Sequence, residues 1–494
     1  MKTLLIVSLL FCGTVLAASP SSINNDDSCD IKVGPAATLL LPYFEVDTND
    51  TTGRTTYFTI TNVTRYPQIA HVTLWTDWAY PVLTFNIFLT GYDVRSINLY
   101  DVIVRGIVSP PSGTASLRRR AQSQPSGGNL RTRIDCAGTP ATLPATFLEA
   151  VRNAFRTGVY NPGGGITSCS FVGSVHANAI GYATIDVVAS CTNLLPSDPA
   201  YYATDLLFDN VLIGDYQQLG SSPAGTGPAL ALEMAGNPMV HIRAVPEGGG
   251  AGSRVSTALP YTFYDRYTPA ADRAIDRRQP LPSAFAARFI QGGRDAFATN
   301  FVIWREGLTG TNASCASNII NSAIPIVEII RFDEHENPFV IQYCPFEGCY
   351  NPPTLPATSS TGTDNRSSTY PSMGTPDIGG WMYLNLNDGG SPRYSVTSHA
   401  GGTITTGPAV TPFGSPRASQ NWVDVTMFTN AGVITWELDA APLGNGCSPA
   451  ATVDPFLIAT PPAPAGGVFV CPPGTTLTNG TTALCAGTNR NPNP

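Results

Sequence analysis

The densest run of chemically able side chains is Asp333-Glu334-His335-Glu336, directly behind an apolar stretch that ends at Phe332. Carboxylates at the end of a strand can ligate calcium through hard oxygen donors, or work as an acid and base pair. His335-Glu336 also begins like a zinc-protease helix, but Pro338 would break that helix and Phe339 stands where a second histidine is required. The run reads first as a charged turn into the next strand, and second as a calcium set made of Asp333, Glu334 and Glu336. A further acidic stretch, Glu45, Asp47, Asn49 and Asp50, opens like an EF-hand loop. Its twelfth position, counted from Asp47, is Phe58 rather than a bidentate glutamate, so an ordinary turn ahead of a strand is expected.

Trp75-Thr76-Asp77-Trp78-Ala79-Tyr80 is the strongest aromatic cluster. Exposed aromatic rings beside an aspartate hold sugars by stacking and hydrogen bonding, which makes Trp75, Asp77, Trp78 and Tyr80 a candidate ligand site. The competing expectation is a core tryptophan followed by a polar turn. Nucleophile motifs are missing from the sequence: there is no G-x-S-x-G elbow and no S-x-x-K. Glycine runs at 163–165 and 248–250 do not sit in a G-x-G-x-x-G pattern and read as turns.

Cysteine usage sets the compartment. Lys2, an apolar run through Leu16, and Val15 and Ala17 at the small-residue positions form a bacterial-looking export leader over 1–17. Of the eleven cysteines, Cys12 leaves with it. Cys29, Cys136, Cys169, Cys191, Cys315, Cys344, Cys349, Cys447, Cys471 and Cys485 remain as disulfide candidates in an oxidising space. Spacing suggests Cys344 with Cys349, Cys471 with Cys485, Cys169 with Cys191 and Cys29 with Cys136, leaving Cys315 and Cys447. Without a CxxC, and with histidines scattered, metal binding by these cysteines is the weaker reading. Five N-x-S/T sequons, at Asn49, Asn62, Asn312, Asn365 and Asn479, count only in a host that glycosylates.

Composition excludes several classes. Acidic residues outnumber basic ones by 35 to 27, which argues against a nucleic-acid partner. Lys32 is the one lysine behind the leader, so P-loop, Schiff-base and Ser-Lys chemistry would all have to use it. No later stretch reaches the roughly eighteen uninterrupted apolar residues of a membrane span. Charged residues make up 13%, about half the usual share, while 43% hydrophobic residues are ample for a core.

The elements that must position these residues are mostly strands. Two-residue alternation with β-branched or aromatic content predicts strands at 55–63, 71–76, 84–89, 181–188, 206–213, 239–245, 301–304, 324–332, 339–343, 380–386, 422–429 and 432–438. One helix is predicted behind Pro144, where Phe147, Leu148, Val151 and Phe155 share a face and Gly158 supplies the stop. Shorter helical turns are expected at 270–278, 283–290 and 316–321. The stretch from Arg105 to Arg133 carries six arginines and no acid, and reads as a solvated, protease-sensitive loop.

The expected fold is all-β, with two antiparallel β-sandwich-like domains and a disulfide-pinned, Pro/Gly-rich C-terminal tail. Domain boundaries fall at 18–245, with a helix-bearing insertion over about 105–160, at a linker over 246–253, at 254–442 and at a tail over 443–494. The leading functional expectation is a secreted, non-catalytic structural or adhesive protein of the extracellular space, cell surface or periplasm. Its partner would be another copy, through edge strands in a homo-oligomer or filament, or a surface glycan. Alternatives are a carbohydrate-binding module centred on Trp75, Asp77 and Trp78, and a secreted hydrolase using a carboxylate pair such as Asp333 with Glu334 or Glu336. No cofactor is required, calcium being the one candidate.

Overall fold

Strand β1 (Thr38–Val46), with the sequence TLLLPYFEV, is buried along nearly its whole length, and that burial explains the architecture around it. It belongs to a five-stranded sheet with β3 (Gln68–Thr76), β4 (Pro81–Leu89), β6 (Ala179–Val188) and β9 (Val240–Ile242), in the order β9-β1-β6-β3-β4. β3 and β6 are likewise buried at every position. A strand that is dry throughout must be covered on both faces of its sheet.

One cover is a four-stranded sheet in the order β8-β7-β2-β5, made of β2 (Thr55–Asn62), β5 (Val94–Asn98), β7 (Leu212–Leu219) and β8 (Ala235–Pro238). A shared apolar cluster joins Leu39, Phe44, Val72, Phe85 and Ile185 of the five-stranded sheet to Phe58, Ile60, Ile97 and Tyr216 of this one. Helix α1 (Ala145–Thr157) closes one end with Val151, Ala154 and Phe155 in the same cluster, and the Phe155 ring meets Phe44 edge-on at 5.3 Å.

The other face of the five-stranded sheet meets the second half of the chain. Leu40, Trp75 and Tyr182 share a cluster with Leu281, Trp304 and Ala357, while Tyr43 and Ile180 pack on Val302. Of those partners, Val302 and Trp304 belong to, and Ala357 leads into, a four-stranded sheet ordered β14-β11-β16-β17. Its strands are β11 (Ala298–Arg305), β14 (Thr358–Gly362), β16 (Asn421–Phe428) and β17 (Thr435–Asp439). Phe301, Ile303, Val423 and Val425 point away from the first half, onto Phe285, Phe289, Ile329, Met382 and Leu384. That last group comes from the sheet β13-β12-β15-β10-β18, with β10 (Ala284–Ile290), β12 (Ile324–Asp333), β13 (Pro338–Val340), β15 (Gly379–Asp388) and β18 (Ala441–Gly444). Thr354–Leu355 pairs with the start of β12. All of these ladders are antiparallel.

The computed structural model of the chain describes residues 34–108, 119–120, 130–131, 142–162, 169–170, 172–196, 198, 200–220, 235–244, 278–282, 284–293, 296–306, 324–340, 354–362, 378–388, 396–397, 403–404, 420–429, 435–444, 475–477 and 485–487. The leader over 1–17, Lys32, the linker over 246–253 and most of the basic loop and C-terminal tail lie outside them. So do Cys29, Cys136, Cys315, Cys344, Cys349, Cys447, Cys471 and the expected turn at 316–321. More than half of the described residues are in strands, and helices are few.

The predicted helix behind Pro144 forms and ends at Gly158, whose φ is +66°. Two expectations differ, and one strand was not expected at all. Where a helical turn was expected at 283–290, Ala284–Ile290 forms strand β10: Phe285, Ala287 and Phe289 enter the core, whereas Arg288 and Ile290 are exposed. The strand expected at 206–213 starts only at Leu212: Tyr201–Asp205 winds into a π-helical turn, and Leu206 behind it makes an isolated bridge to Val188. β1 carries no sequence alternation, since both its faces are covered and its pairing register shifts between Leu41 and Phe44.

Gly158 also tests the packing at the end of α1. A Cβ added there would lie 2.0 Å from the Gly173 carbonyl oxygen, in a left-handed conformation that already disfavours side chains. Gly158→Ala is expected to lower the unfolding free energy by about 2 kcal/mol or more in urea titrations, and an unchanged midpoint would contradict this packing.

Candidate functional site

A row of polar and ionisable side chains lies inside the protein. Register places Thr38 of β1 opposite Asp186 of β6, Asp186 opposite His71 of β3, and His71 opposite Asn86 of β4. These four form a polar row across the five-stranded sheet, on the face turned to the second half, and none is more than 2% exposed.

Each member is engaged. Asp186 accepts from the Thr38 hydroxyl at 2.5 Å, from the Tyr201 hydroxyl at 2.6 Å and from Arg278 Nη1 at 3.1 Å. Arg278 is itself fully buried, donates from the same nitrogen to Thr38 Oγ1 at 3.1 Å, and lies 5.9 Å from the Phe208 ring centroid. His71 Nδ1 lies 3.0 Å from Asn86 Oδ1, and Asn86 Nδ2 donates to the Thr192 carbonyl at 2.8 Å. Burial lowers the His71 pKa, against the pull of the Asn86 bond and the Asp186 and Asp205 charges, so the ring is held neutral. An aspartate–histidine–tyrosine–arginine constellation would suit acid and base work in a cleft. Here its hydrogen bonds run between strands and into the second half.

Sequence reasoning missed this row. Its signal was present but ambiguous: single polar residues alternate with Ala70, Val72, Phe85, Ile87 and Ile185, the pattern of a strand wet on one face.

The aromatic cluster forms the end of β3 and the turn into β4. Trp75 is 1% exposed, stacks on Tyr182 at 5.7 Å with 2° between planes, and donates from Nε1 to Thr184 Oγ1 at 2.9 Å. Asp77 is also 1% exposed. Its Oδ1 accepts from the Ser174 N–H at 3.0 Å, and His176 Nε2 lies 3.0 Å from Oδ2. The Asp77 carbonyl accepts the Ala357 N–H at 2.7 Å, which ties this turn to the second half. Trp75 and Asp77 therefore offer no surface to a ligand, while Trp78 and Tyr80 are half-buried. Burial pushes the Tyr80 phenol up. Burial, with Tyr80 beside it, pushes Tyr160 up to about 12.

At the acidic turn, Asp333 Oδ1 accepts the N–H groups of His335 at 2.8 Å and Asn337 at 2.9 Å, and Oδ2 accepts Asn337 Nδ2 at 2.8 Å. The Asn337 amide, then its backbone N–H, leads in holding the Asp333 carboxyl below its ordinary value. Glu334, His335 and Glu336 are exposed, and Glu336 adopts φ +64°. Among the described residues no three His, Cys, Asp or Glu side chains converge on a point where a metal ion could sit. The stretch at 47–50 is an Asx-type turn, with Asp47 Oδ1 accepting the N–H groups of Asn49 and Asp50. Cys191 is disulfide-bonded, and Cys169 and Cys485 sit in the short strands Cys169–Ser170 and Cys485–Gly487. No helix among the described residues is long and apolar enough to cross a membrane.

Comparison with known proteins gives no match: no family model, no curated protein and no solved structure resembles this chain.

A second interior histidine makes the burial measurable. The Gly214 N–H donates to His241 Nε2 at 3.0 Å, which requires that nitrogen to be unprotonated, and burial pushes the ring down to about 4. An ordinary histidine titrates near 6.5. The unfolded chain therefore takes up this proton first, so the stability His241 contributes is complete above about pH 6.5 and is lost as pH falls toward about 4. The loss from His241 by pH 4.5 is expected to be about 2–3 kcal/mol, with His71 acting in the same direction. Unfolding measured from pH 7.5 to 4.5 should show this slope, and His241→Gln, which keeps an acceptor for Gly214, should flatten it. Parallel curves for the two proteins would contradict the assignment.

Proposed function

We propose that the mature chain is an exported, non-catalytic structural or adhesive β protein acting outside the cell or at its surface. The observation that carries this reading is where the buried polar groups are spent. Tyr216 of β7 donates to Asp424 of β16 at 2.6 Å, Thr358 Oγ1 donates to the Pro42 carbonyl at 2.6 Å, and Arg278 reaches Asp186. With the Ala357–Asp77 bond, these contacts cross between sequence-distant halves and stiffen the body. Durable load-bearing or adhesive proteins need such stiffness, with function displayed on outer strands. Edge strand β5 suits that display, with exposed Val94 and Ser96, and exposed Asp215 and Gln217 lie two strands away on β7 of the same sheet.

In this reading the sheets group into two sandwich-like units, 18–245 and 254–442, with the helix-bearing insertion in the first. The apolar clusters between paired sheets support the grouping. A linker over 246–253 and a disulfide-pinned tail from 443 belong to the same proposal.

Purified mature protein, imaged in negative stain and applied to a glycan array, is expected to form ordered multimers or to bind a defined glycan. A sample that stays monomeric and binds no glycan would overturn the proposal.

A further inference from the structure

We infer that Asn49 is an acceptor site for an N-linked glycan and that Asn62, the other sequon within the described residues, is closed to one. The inference rests on the export reading, since oligosaccharide transfer takes place across the exporting membrane. Both asparagines carry the pattern, as Asn49-Asp50-Thr51 and Asn62-Val63-Thr64. Their surroundings differ completely.

Asn49 stands at the tip of the turn between β1 and β2, where Asn49, Asp50, Thr51 and Thr52 are all exposed. The backbone beneath is fixed: Asp47 Oδ1 accepts the Asn49 N–H at 2.8 Å, and the Asp47 N–H donates to the Arg54 carbonyl at 2.7 Å. Asn49 takes part through its backbone N–H, which leaves the side-chain amide projecting from an ordered turn into solvent. A bulky, solubilising sugar can be carried there without displacing any packed group.

Asn62 is 0% exposed. Its Nδ2 donates to the Tyr66 carbonyl at 2.7 Å and the Thr90 carbonyl at 2.8 Å, so both amide hydrogens are used. Its Oδ1 accepts the Thr64 N–H at 3.0 Å and the Thr64 hydroxyl at 2.9 Å. A glycan would remove one of the two donors and would have to occupy the space between two packed turns.

The donor is an oligosaccharide on a polyprenyl diphosphate, supplied with its transferase by a glycosylating host. Asn49 Nδ2 bonds to the sugar C1 as the bond from C1 to the phosphate oxygen breaks. The amide gives up one proton, and the polyprenyl diphosphate leaves with the electron pair.

The test is secretion of the full chain from yeast cells, once behind its own leader and once behind a host leader, followed by peptide mapping by mass spectrometry. Behind the host leader, Asn49 is expected to carry glycan and Asn62 none. Asn49→Gln and Thr51→Ala should each remove the glycan at Asn49 and leave the melting temperature unchanged. Secreted, folded protein with a bare Asn49, or with glycan on Asn62, would overturn the inference. Retention behind its own leader, with secretion behind the host leader, would count against the export reading alone.

Discussion

The buried ion pair between Arg278 and Asp186 is the interaction on which the rest of the molecule depends. Both side chains are essentially dry, at 0% and 1% exposure, and 3.1 Å separates Nη1 from Oδ1. Taking two charges out of water is costly, and the attraction repays it only when the remaining valences are satisfied. Thr38 and Tyr201 satisfy Asp186, and the Thr38 hydroxyl takes a further bond from Arg278. Arg278 enters just ahead of the first strand of the second half, so the pair fastens that half to the middle of a sheet in the first. A buried ion pair that crosses two apolar faces ties their approach to one relative placement.

This constraint explains the unusual five-stranded sheet. Its strands β1, β3 and β6 are buried on both faces, as in a layered α/β protein, yet their neighbours are antiparallel and both covers are sheets. Apolar side chains fill the interface with β8-β7-β2-β5. The opposite interface mixes Trp75, Tyr182 and Trp304 with the Thr38–Asp186–His71–Asn86 row. Shape holds the first pair of faces together, whereas hydrogen bonds fix the register of the second.

Legibility in the sequence followed this division. β2 alternates cleanly because one face of its sheet meets solvent, and α1 was readable from Phe147, Leu148, Val151 and Phe155 with Gly158 behind them, whereas all of β7 beyond Ile213 was missed. β1 was invisible because a strand covered on both sides need not alternate. The row His71, Asp186 and Asn86 looked like the wet side of ordinary strands, since sequence periodicity registers a change of face and not what lies beyond it. Trp75 and Asp77 stood out for the same reason: the residues that bury them, Tyr182, Ser174, His176 and Ala357, arrive from distant parts of the chain. Asp333 was placed in a turn by composition alone, because its partners His335 and Asn337 are local.

A double-mutant cycle on the central pair tests the account most directly. Urea unfolding of Arg278→Met and of Asp186→Asn is expected to show losses of about 3–5 kcal/mol each, because either change leaves buried polar groups without their partner. The double variant should lose clearly less than the two losses combined, since the stranded charge is gone. Single losses below about 1 kcal/mol, or strictly additive ones, would contradict a structure organised around this pair.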